Sequence, residues 1–245
     1  MTGNREEEKK RAAFSAIDDL IREGRIFSGM KIGLGTGSTA MPAVQRLAER
    51  IADGSVSGIR AVATSFQTSI ACEKLGIPVF SMNAKEIGGR LDLAIDGVDE
   101  ISPQKHLIKG GGAALLREKI IAYNADIFVI VADSSKAVQM LGTGFPLPVE
   151  VVPEARVSAA ASLAALGAKP VLREGVRKAG PVITDNGNLI LDCLWPAPAD
   201  GSAPFDPAEM ESRINAIPGV AENGFFTRNP PAVYIAAADG SVQKR

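Results

Sequence analysis

The sequence predicts an α/β fold: a Rossmann-like parallel sheet with helices on both faces, together with a smaller α+β domain of the ferredoxin-like kind. Short apolar runs alternate with amphipathic helical patterns as far as Gly144, and this alternation favours a parallel sheet. After Gly144 the pattern changes to strands and helices mixed with a hairpin. We therefore expect an α/β catalytic domain over 1–144 and 227–245 and a small α+β domain over 145–226.

Elements of the first domain follow from the spacing of apolar residues. Residues 6–23 show helical spacing, and Gly24 can end that helix. Pro42 suits the first turn of a second helix. Further helices are expected after Thr64-Ser65 and near Ala113. The predicted strands are Lys31–Leu34, Ile59–Ala63, Ile77–Phe80, Leu91–Ile95 and Ile127–Ala132.

The second domain contains a strong hairpin signal. Asn186-Gly187 separates two apolar runs, and this dipeptide is typical of a tight β-turn. Pro153 suits the start of a helix that ends near Leu166. The other predicted elements are strands Leu147–Val152, Pro170–Arg173, Val182–Thr184 and Leu189–Asp192, a surface loop Ala197–Pro207, a helix Ala208–Ile217, and a strand Ala232–Ala236 that returns to the large domain.

Composition and charge exclude several classes of protein. Hydrophobic residues make up 46% of the chain and charged residues 22%, which is ordinary for a soluble protein. A net charge of −1 argues against a nucleic-acid surface. Cys72 and Cys193 form neither a metal-ligand spacing nor a disulfide framework. The charged start is unlike a signal peptide, and no apolar stretch could span a bilayer. We expect a cytoplasmic protein with no nucleic-acid or membrane partner.

Polar clusters follow four of the predicted strands directly. They are Gly35–Thr39, Thr64-Ser65, Asp96–Glu100 and Asp133–Lys136. In open α/β sheets, ligands bind beyond the carboxyl ends of the strands. The four loops are therefore expected to converge on one crevice.

The glycine-rich loop before the second helix carries three hydroxyls, on Thr36, Ser38 and Thr39, around Gly37. Backbone N–H groups at such a turn favour an anion. The glycine spacing fits neither a dinucleotide fingerprint nor a nucleotide P-loop, so a sugar phosphate or similar monophosphate is the expected ligand. Lys136 could add a positive charge to the same phosphate. The alternatives are a plain strand-to-helix turn and a solvated lysine.

Asp96 and Asp99, with Gly97 and Val98 between them, could transfer protons, bind a metal or serve as turn residues. Their spacing does not match a calcium loop, and Glu100 is expected to face solvent. Lys109 leads into three glycines, Gly110, Gly111 and Gly112. Glycines let a backbone approach a ligand closely, while the lysine and the N–H groups could stabilise an oxyanion.

Glu118 lies among apolar residues of the predicted helix after Ala113. Burial penalises a charged carboxylate, which suits a general base or acid. The alternative is a buried salt bridge to Arg117 or Lys119. His106 and Cys72 are not expected to be catalytic, because one lies in a loop and the other among apolar residues.

Together these segments closely resemble ribose-5-phosphate isomerase of the A type. The matching motifs are GLGTGSTA (33–40), LAIDGVDEI (93–101), IKGGGAALLREKI (108–120), VADSSK (131–136), FPLPVEV (145–151), VITDNGNLILD (182–192) and INAIPGV (214–220). The resemblance implies interconversion of D-ribose 5-phosphate and D-ribulose 5-phosphate in the non-oxidative branch of the pentose phosphate pathway. It also implies an enediol or enediolate intermediate, no metal, no cofactor, and a homodimer or homotetramer.

The resemblance also implies roles for single residues. Glu118 would move the proton between C1 and C2, and Lys109 with the glycine N–H groups would stabilise the charge on oxygen. Asp96 and Asp99 would bind sugar hydroxyls and assist ring opening. The implied substrate-binding residues are Thr36, Gly37, Ser38, Thr39, Asp96, Gly97, Val98, Asp99, Lys109, Gly110, Gly111, Gly112 and Lys136.

Some segments depart from the family pattern. Val98 stands where the family usually has alanine, and the loop Ala197–Pro207 looks like an insertion. Arg22–Met30 looks longer than usual, so no role is carried onto Lys9 or Lys10.

Two other functions compete with the isomerase. One is another enzyme of the same general fold, similar to a glucosamine-6-phosphate deaminase or a CoA-transferase. The other is a domain that senses a sugar phosphate without converting it. The combination of GTGST, DGVDE and KGGGAALLREK argues against the first. The 30 residues before the first strand leave room for one helix only, which argues against a sensor with a DNA-binding module.

Overall fold

The structure, a computed structural model, describes residues 2–142, 144–196 and 203–245. The helices are α1 Thr2–Arg22, α2 Met41–Ala52, α3 Phe66–Lys74, α4 Leu115–Tyr123, α5 Arg156–Ala165 and α6 Pro207–Asn215. The strands are β1 Lys31–Leu34, β2 Arg60–Ala63, β3 Leu91–Asp96, β4 Glu100–Ile101, β5 Leu107–Ile108, β6 Ala125–Asp133, β7 Leu147–Val151, β8 Lys169–Leu172, β9 Leu189–Leu194, β10 Val220–Asn223, β11 Phe225–Phe226, β12 Ala232–Ala236 and β13 Val242–Lys244. Short 3₁₀ turns occupy Ser134–Lys136 and Pro153–Ala155.

The described chain divides into two compact units. The first contains the chain up to Val98, Arg117–Lys136 and Asn229–Arg245. The second contains Asp99–Leu116 and Ala137–Arg228. The domain boundaries predicted from the sequence stay a prediction, and these units differ from them by assigning 99–116, 137–144 and 227–228 to the second unit.

The first unit is built on a six-stranded sheet in the order β13-β12-β6-β3-β1-β2. Every neighbouring pair is parallel except β12 with β13. The predicted return of Ala232–Ala236 to this sheet is confirmed, because Ala236 pairs with Asp133 at the end of β6. The strands end together at one edge, and the polar loops begin there.

Helices cover both faces of this sheet, as predicted. Ile17 and Leu20 of α1 and Leu47 of α2 are buried in one core with the apolar residues of one sheet face. On the other face, α4 comes so close that a Cβ on Gly33 would lie 2.3 Å from Cγ2 of Ile121. Only glycine fits there.

One predicted strand of the first unit is wrong. Ile77–Phe80 forms a single bridge, Ala61 to Val79, and no strand. Pro78 has no N–H group, so pairing cannot continue along the segment.

The second unit contains an antiparallel sheet in the order β10-β7-β9-β8. Helix α5 follows β7 and helix α6 follows β9, so the chain order is β-α-β-β-α-β. This is the ferredoxin-like arrangement, as predicted. Val149 and Val151 point to the same core as Leu163 of α5 and Ile214 of α6. A separate three-stranded sheet has the order β11-β5-β4.

The hairpin of the second unit is only partly as predicted. Gly187 adopts a positive φ of 82° in the turn, and Thr184 N–H donates to the Asn188 carbonyl at 2.9 Å. Val182–Thr184 is not a strand, because Ile183 makes one isolated bridge to Leu189. Most of the predicted loop Ala197–Pro207 lies outside the described residues, and α6 begins at its last residue.

Candidate functional site

The glycine-rich turn after β1 is held against the carboxylate of Asp96, at the end of β3. Asp96 is 4% exposed, and its Oδ1 accepts from the N–H of Thr36 at 3.1 Å and of Gly97 at 2.7 Å. A Cβ on Gly35 would lie 1.9 Å from the same oxygen. A side chain at position 35 would therefore prevent the turn from approaching the Asp96 carboxylate this closely.

Hydroxyl groups orient Thr36 from the neighbouring loop. Thr36 Oγ1 lies 2.6 Å from Thr64 Oγ1 and donates to Ser65 Oγ at 2.7 Å. Thr68 Oγ1 donates to the Gly35 carbonyl at 2.7 Å. The loops after β1, β2 and β3 thus meet at one edge of the sheet, as three of the four predicted loops should.

The end of the glycine-rich turn presents open donors. Gly37 N–H donates to Gln67 Oε1 at 3.1 Å. Within the described parts of the chain, the N–H groups of Ser38 and Thr39 have no acceptor. Thr39 is buried and lies against Gly97, where an added Cβ would come within 3.2 Å of Thr39 Cβ. Two N–H groups and nearby hydroxyls can therefore receive an anion.

Helix α1 adds Lys9, for which the sequence predicted no role. Lys9 Nζ donates to Ser38 Oγ at 2.9 Å and to Glu6 Oε1 at 2.8 Å. Its side chain is only 15% exposed. The contact joins residues 29 positions apart, so the residue pattern of α1 alone gave no signal for it.

Lys136 occupies the 3₁₀ turn that follows β6, the fourth predicted loop. Ser135 N–H donates to Asp133 Oδ1 at 3.0 Å and shapes this turn. Ser134 Oγ donates to Glu8 of α1 at 3.2 Å. Lys136 is half-buried, and no residue in the described parts of the chain pairs with its ammonium group. The loop is thus joined to α1, the helix that also supplies Lys9.

In the second unit, Asp99 is joined to the triple-glycine loop. Gly111 N–H donates to Asp99 Oδ2 at 2.7 Å, and a Cβ on Gly111 would lie 2.6 Å from Oδ1. Asp99 N–H donates to the Ile108 carbonyl at 2.9 Å. The preceding Val98 is buried. The carboxylate thus fixes the position of the loop while remaining half-buried.

Lys109 follows β5 and is 3% exposed. Its N–H donates to the Gly224 carbonyl at 2.9 Å, and its Nζ lies 5.7 Å from the ring centroid of Phe226. Gly110 next to it adopts a φ of 101°, which favours glycine. An ammonium group held in a buried place can stabilise negative charge strongly.

Glu118 is buried in the first turn of α4 at 4% exposure, as the sequence predicted. The positive end of a helix favours a carboxylate in this turn. Arg117 stacks over the Phe66 ring at 5.3 Å, and Lys119 lies 5.9 Å from the Tyr123 ring. A buried carboxylate of this kind can accept and return a proton.

Glu100 contradicts its prediction. It is 3% exposed, and its Oε2 accepts from Gly142 N–H at 2.8 Å, which ties the loop before β7 to β4. Burial raises the pKa of this carboxyl, although hydrogen bonds from Gly142, Phe145 and Gly144 oppose the increase. Its role is structural.

The cysteines lie in cores, as predicted for Cys72. Burial raises the pKa of Cys72 to about 11 and that of Cys193 to about 12. Among the residues that the structure describes, no group of three or more His, Cys, Asp or Glu side chains could hold a metal ion. No described helix is long and apolar enough to cross a membrane.

Comparisons with known proteins identify the family. The family model described as ribose 5-phosphate isomerase A (phosphoriboisomerase A) matches residues 60–240. A ribose-5-phosphate isomerase A from Treponema denticola is 60% identical over 235 residues, which cover 96% of this chain and 97% of that protein.

Solved structures agree along nearly the whole chain. The ribose 5-phosphate isomerase A of Methanocaldococcus jannaschii has a TM-score of 0.86 at 38% identity, with 98% of both chains covered. A D-ribose-5-phosphate isomerase in complex with phospho-erythronic acid has a TM-score of 0.88 at 40% identity, again with 98% of both covered. The chain therefore belongs to the ribose 5-phosphate isomerase A family.

Proposed function

We propose that this isomerase interconverts D-ribose 5-phosphate and D-ribulose 5-phosphate through an enediolate, with Glu118 as the base. In the open-chain aldose, the Glu118 carboxylate takes the proton from C2, and the electron pair moves onto the carbonyl oxygen at C1. The same carboxyl group then returns the proton to C1. A proton passes from the C2 hydroxyl to the C1 oxygen, so atoms and charge balance. The burial of Glu118 carries this proposal.

Charge on the enediolate oxygen is stabilised by Lys109 and by N–H groups of Gly110–Gly112. Burial of the lysine at 3% exposure supports this role, because a charge in a low-dielectric place acts more strongly than in water.

Asp96 and Asp99 bind sugar hydroxyls and assist ring opening. Both carboxylates accept backbone N–H groups, Asp96 through Oδ1 and Asp99 through Oδ2. Carboxylate oxygens can also accept hydrogen bonds from sugar hydroxyls. Gly97 and Val98 continue the same loop along the sugar.

The phosphate binds at the glycine-rich turn. In the turn Thr36–Thr39, the N–H groups of Ser38 and Thr39 and their hydroxyls supply the donors, Thr36 and Gly37 shape the turn around them through their own bonds to Asp96, Ser65 and Gln67, and Lys136 supplies positive charge. Lys9 joins them, since it already donates to Ser38 Oγ. The chain should also bind phospho-erythronic acid, as a relative does. Its phosphate would meet the donors proposed for the substrate phosphate, and its carboxylate would meet those proposed for the enediolate oxygen.

The decisive experiment follows turnover of D-ribose 5-phosphate in deuterated buffer with a chelator present. Wild type should form the ketose and incorporate deuterium at the transferred position. Glu118→Gln should lose both while still binding phospho-erythronic acid, and the matched control Glu154→Gln, on an exposed residue, should behave as wild type. Near-normal turnover in Glu118→Gln removes it from the base role. Restoration of lost activity by a divalent ion overturns the metal-free mechanism.

A homodimer or homotetramer in the cytoplasm is also proposed. Large apolar side chains are exposed on the first unit, including Phe66 at 59% and Ile70 at 50%. Contiguous exposed apolar residues favour association. Light scattering after size-exclusion chromatography gives the subunit number, and a monomer at micromolar concentration would contradict the proposal.

A further inference from the structure

Arg173, directly after β8, is held by an ion pair with Asp192 of β9. Its Nε donates to Asp192 Oδ2 at 2.8 Å and its Nη2 to Oδ1 at 2.5 Å. The side chains are 15% and 21% exposed. Arg173 N–H also donates to the Ile190 carbonyl at 2.9 Å. Two parallel bonds, from Nε and Nη2 to the two carboxylate oxygens, fix the plane of the guanidinium group.

The remaining guanidinium nitrogen is directed at the triple-glycine loop. Arg173 Nη1 donates to the carbonyl oxygens of Gly110 and Gly111, both at 3.0 Å. Each trans peptide places its N–H opposite its carbonyl. Fixing the Gly110 carbonyl directs the Gly111 N–H away from Arg173, and that N–H donates to Asp99 at 2.7 Å. Fixing the Gly111 carbonyl directs the Gly112 N–H away from Arg173 in the same manner.

We infer that Arg173, oriented by Asp192, is a positioning residue for the isomerase reaction. It holds the Gly110–Gly111 peptide with its N–H on Asp99, and it holds the Gly111–Gly112 peptide in the orientation in which the Gly112 N–H can receive negative charge from the substrate. This inference rests on the proposed role of Lys109 and the glycine loop. The residues that hold the loop, Arg173, Asp192 and Asp99, all belong to the second unit.

The chemistry explains why this position uses an arginine. Three consecutive glycines have more conformational freedom than any other tripeptide, so their order must come from outside the loop. Donors placed before the reaction stabilise a transition state without reorganising during it. One guanidinium group can bind a carboxylate at one edge and two carbonyls at the other. A lysine ammonium has only three donors and no fixed plane, so Lys cannot replace Arg here.

The test compares Arg173→Lys with Arg177→Lys, the same change on an exposed residue of the following turn. Arg173→Lys should lower kcat for D-ribose 5-phosphate about 10–100-fold, because small displacements of a catalytic group cost this much. KM should change much less, since the proposed phosphate donors are not moved. Affinity for phospho-erythronic acid should fall with kcat, whereas inhibition by inorganic phosphate should not change. Arg177→Lys should match wild type.

A second pair of variants covers a loss of folding. Arg173→Ala should recover part of its kcat when guanidinium ion is added at millimolar concentration, whereas the same concentration of sodium ion should have no effect. Asp192→Asn should lower kcat in the same direction as Arg173→Lys. Wild-type kcat in Arg173→Lys, or a loss confined to KM, overturns the inference. Absence of turnover in the wild type would instead overturn the proposed function.

Discussion

Lys9 and Lys10 are neighbours on α1 whose side chains have different surroundings. Lys9 reaches Ser38, whereas Lys10 lies over the Phe14 ring at 5.3 Å. Lys9→Met should raise KM for D-ribose 5-phosphate about 10–100-fold with a smaller effect on kcat, because it removes a charge-assisted phosphate contact of about 1.5–3 kcal/mol. Steady-state kinetics measure this, with Lys10→Met as the control. Equal KM values in the two variants would exclude Lys9 from the phosphate site.

Lys109 should act on the chemical step and leave ground-state binding nearly unchanged. Lys109→Met keeps the length of the side chain and removes its charge, so kcat should fall about 10²–10³-fold, the usual cost of one oxyanion donor. Kinetics on D-ribose 5-phosphate test this, and Lys169→Met, on an exposed residue, is the control. A change in KM alone would place Lys109 in substrate binding only.

Residue chemistry was predictable where the residue type and its local pattern were enough. Glu118 stood among apolar residues, so its burial could be expected before the structure. Lys9 and Glu100 were different, because their contacts come from segments distant in the chain. Ser38 lies 29 residues from Lys9, and Gly142 lies 42 residues from Glu100. Spacing within one segment carries no information about such contacts.

At the scale of elements, the β1–α2 turn depends on Gly35. Its φ is not positive, so glycine is required there by the lack of space for a side chain. Gly35→Ala would bring its Cβ into Asp96 Oδ1, so the carboxylate must move and turnover should fall by at least about tenfold. Gly24→Ala is the control, since its Cβ would meet open space at a φ of 69°. That change should cost about 1 kcal/mol of unfolding free energy and leave kcat intact. Full activity in Gly35→Ala would show that the position of Asp96 is not critical.

Element positions were predicted best where apolar runs were bounded on both sides. Lys31–Leu34 and Ala232–Ala236 are the observed strands without any shift. The strand predicted at Ile77–Phe80 was wrong because the apolar run contains Pro78, which has no N–H to donate to a ladder. Val182–Thr184 was wrong for another reason. The Thr184 N–H donates to the Asn188 carbonyl within the turn, and Ile183 is left with a single bridge to Leu189. The Thr184 hydroxyl donates to buried Glu150 at 2.9 Å.

Across the whole molecule, both thiols are fully buried at 0% exposure. With pKa values of about 11 and about 12, almost no thiolate exists at pH 8. A thiol-reactive disulfide reagent should therefore modify neither cysteine in the folded protein and both after unfolding in guanidinium chloride. Absorbance titration counts the reacting thiols. Rapid modification of one thiol without unfolding would show that its core opens readily.

Glu100 should make the free energy of unfolding depend on pH. Burial raises its pKa in the folded protein, so the folded state binds more protons than the unfolded state between the ordinary and the raised value. The contribution of Glu100 is therefore fully present at low pH and is lost as pH rises through the folded pKa. Unfolding free energies of wild type and Glu100→Gln, measured in denaturant from pH 4 to 7, isolate this contribution. The difference, wild type minus variant, should decrease with rising pH. A difference that increases with pH would mean that the hydrogen bonds from the Gly142–Phe145 segment outweigh burial and that the carboxyl group is held in its ionised form.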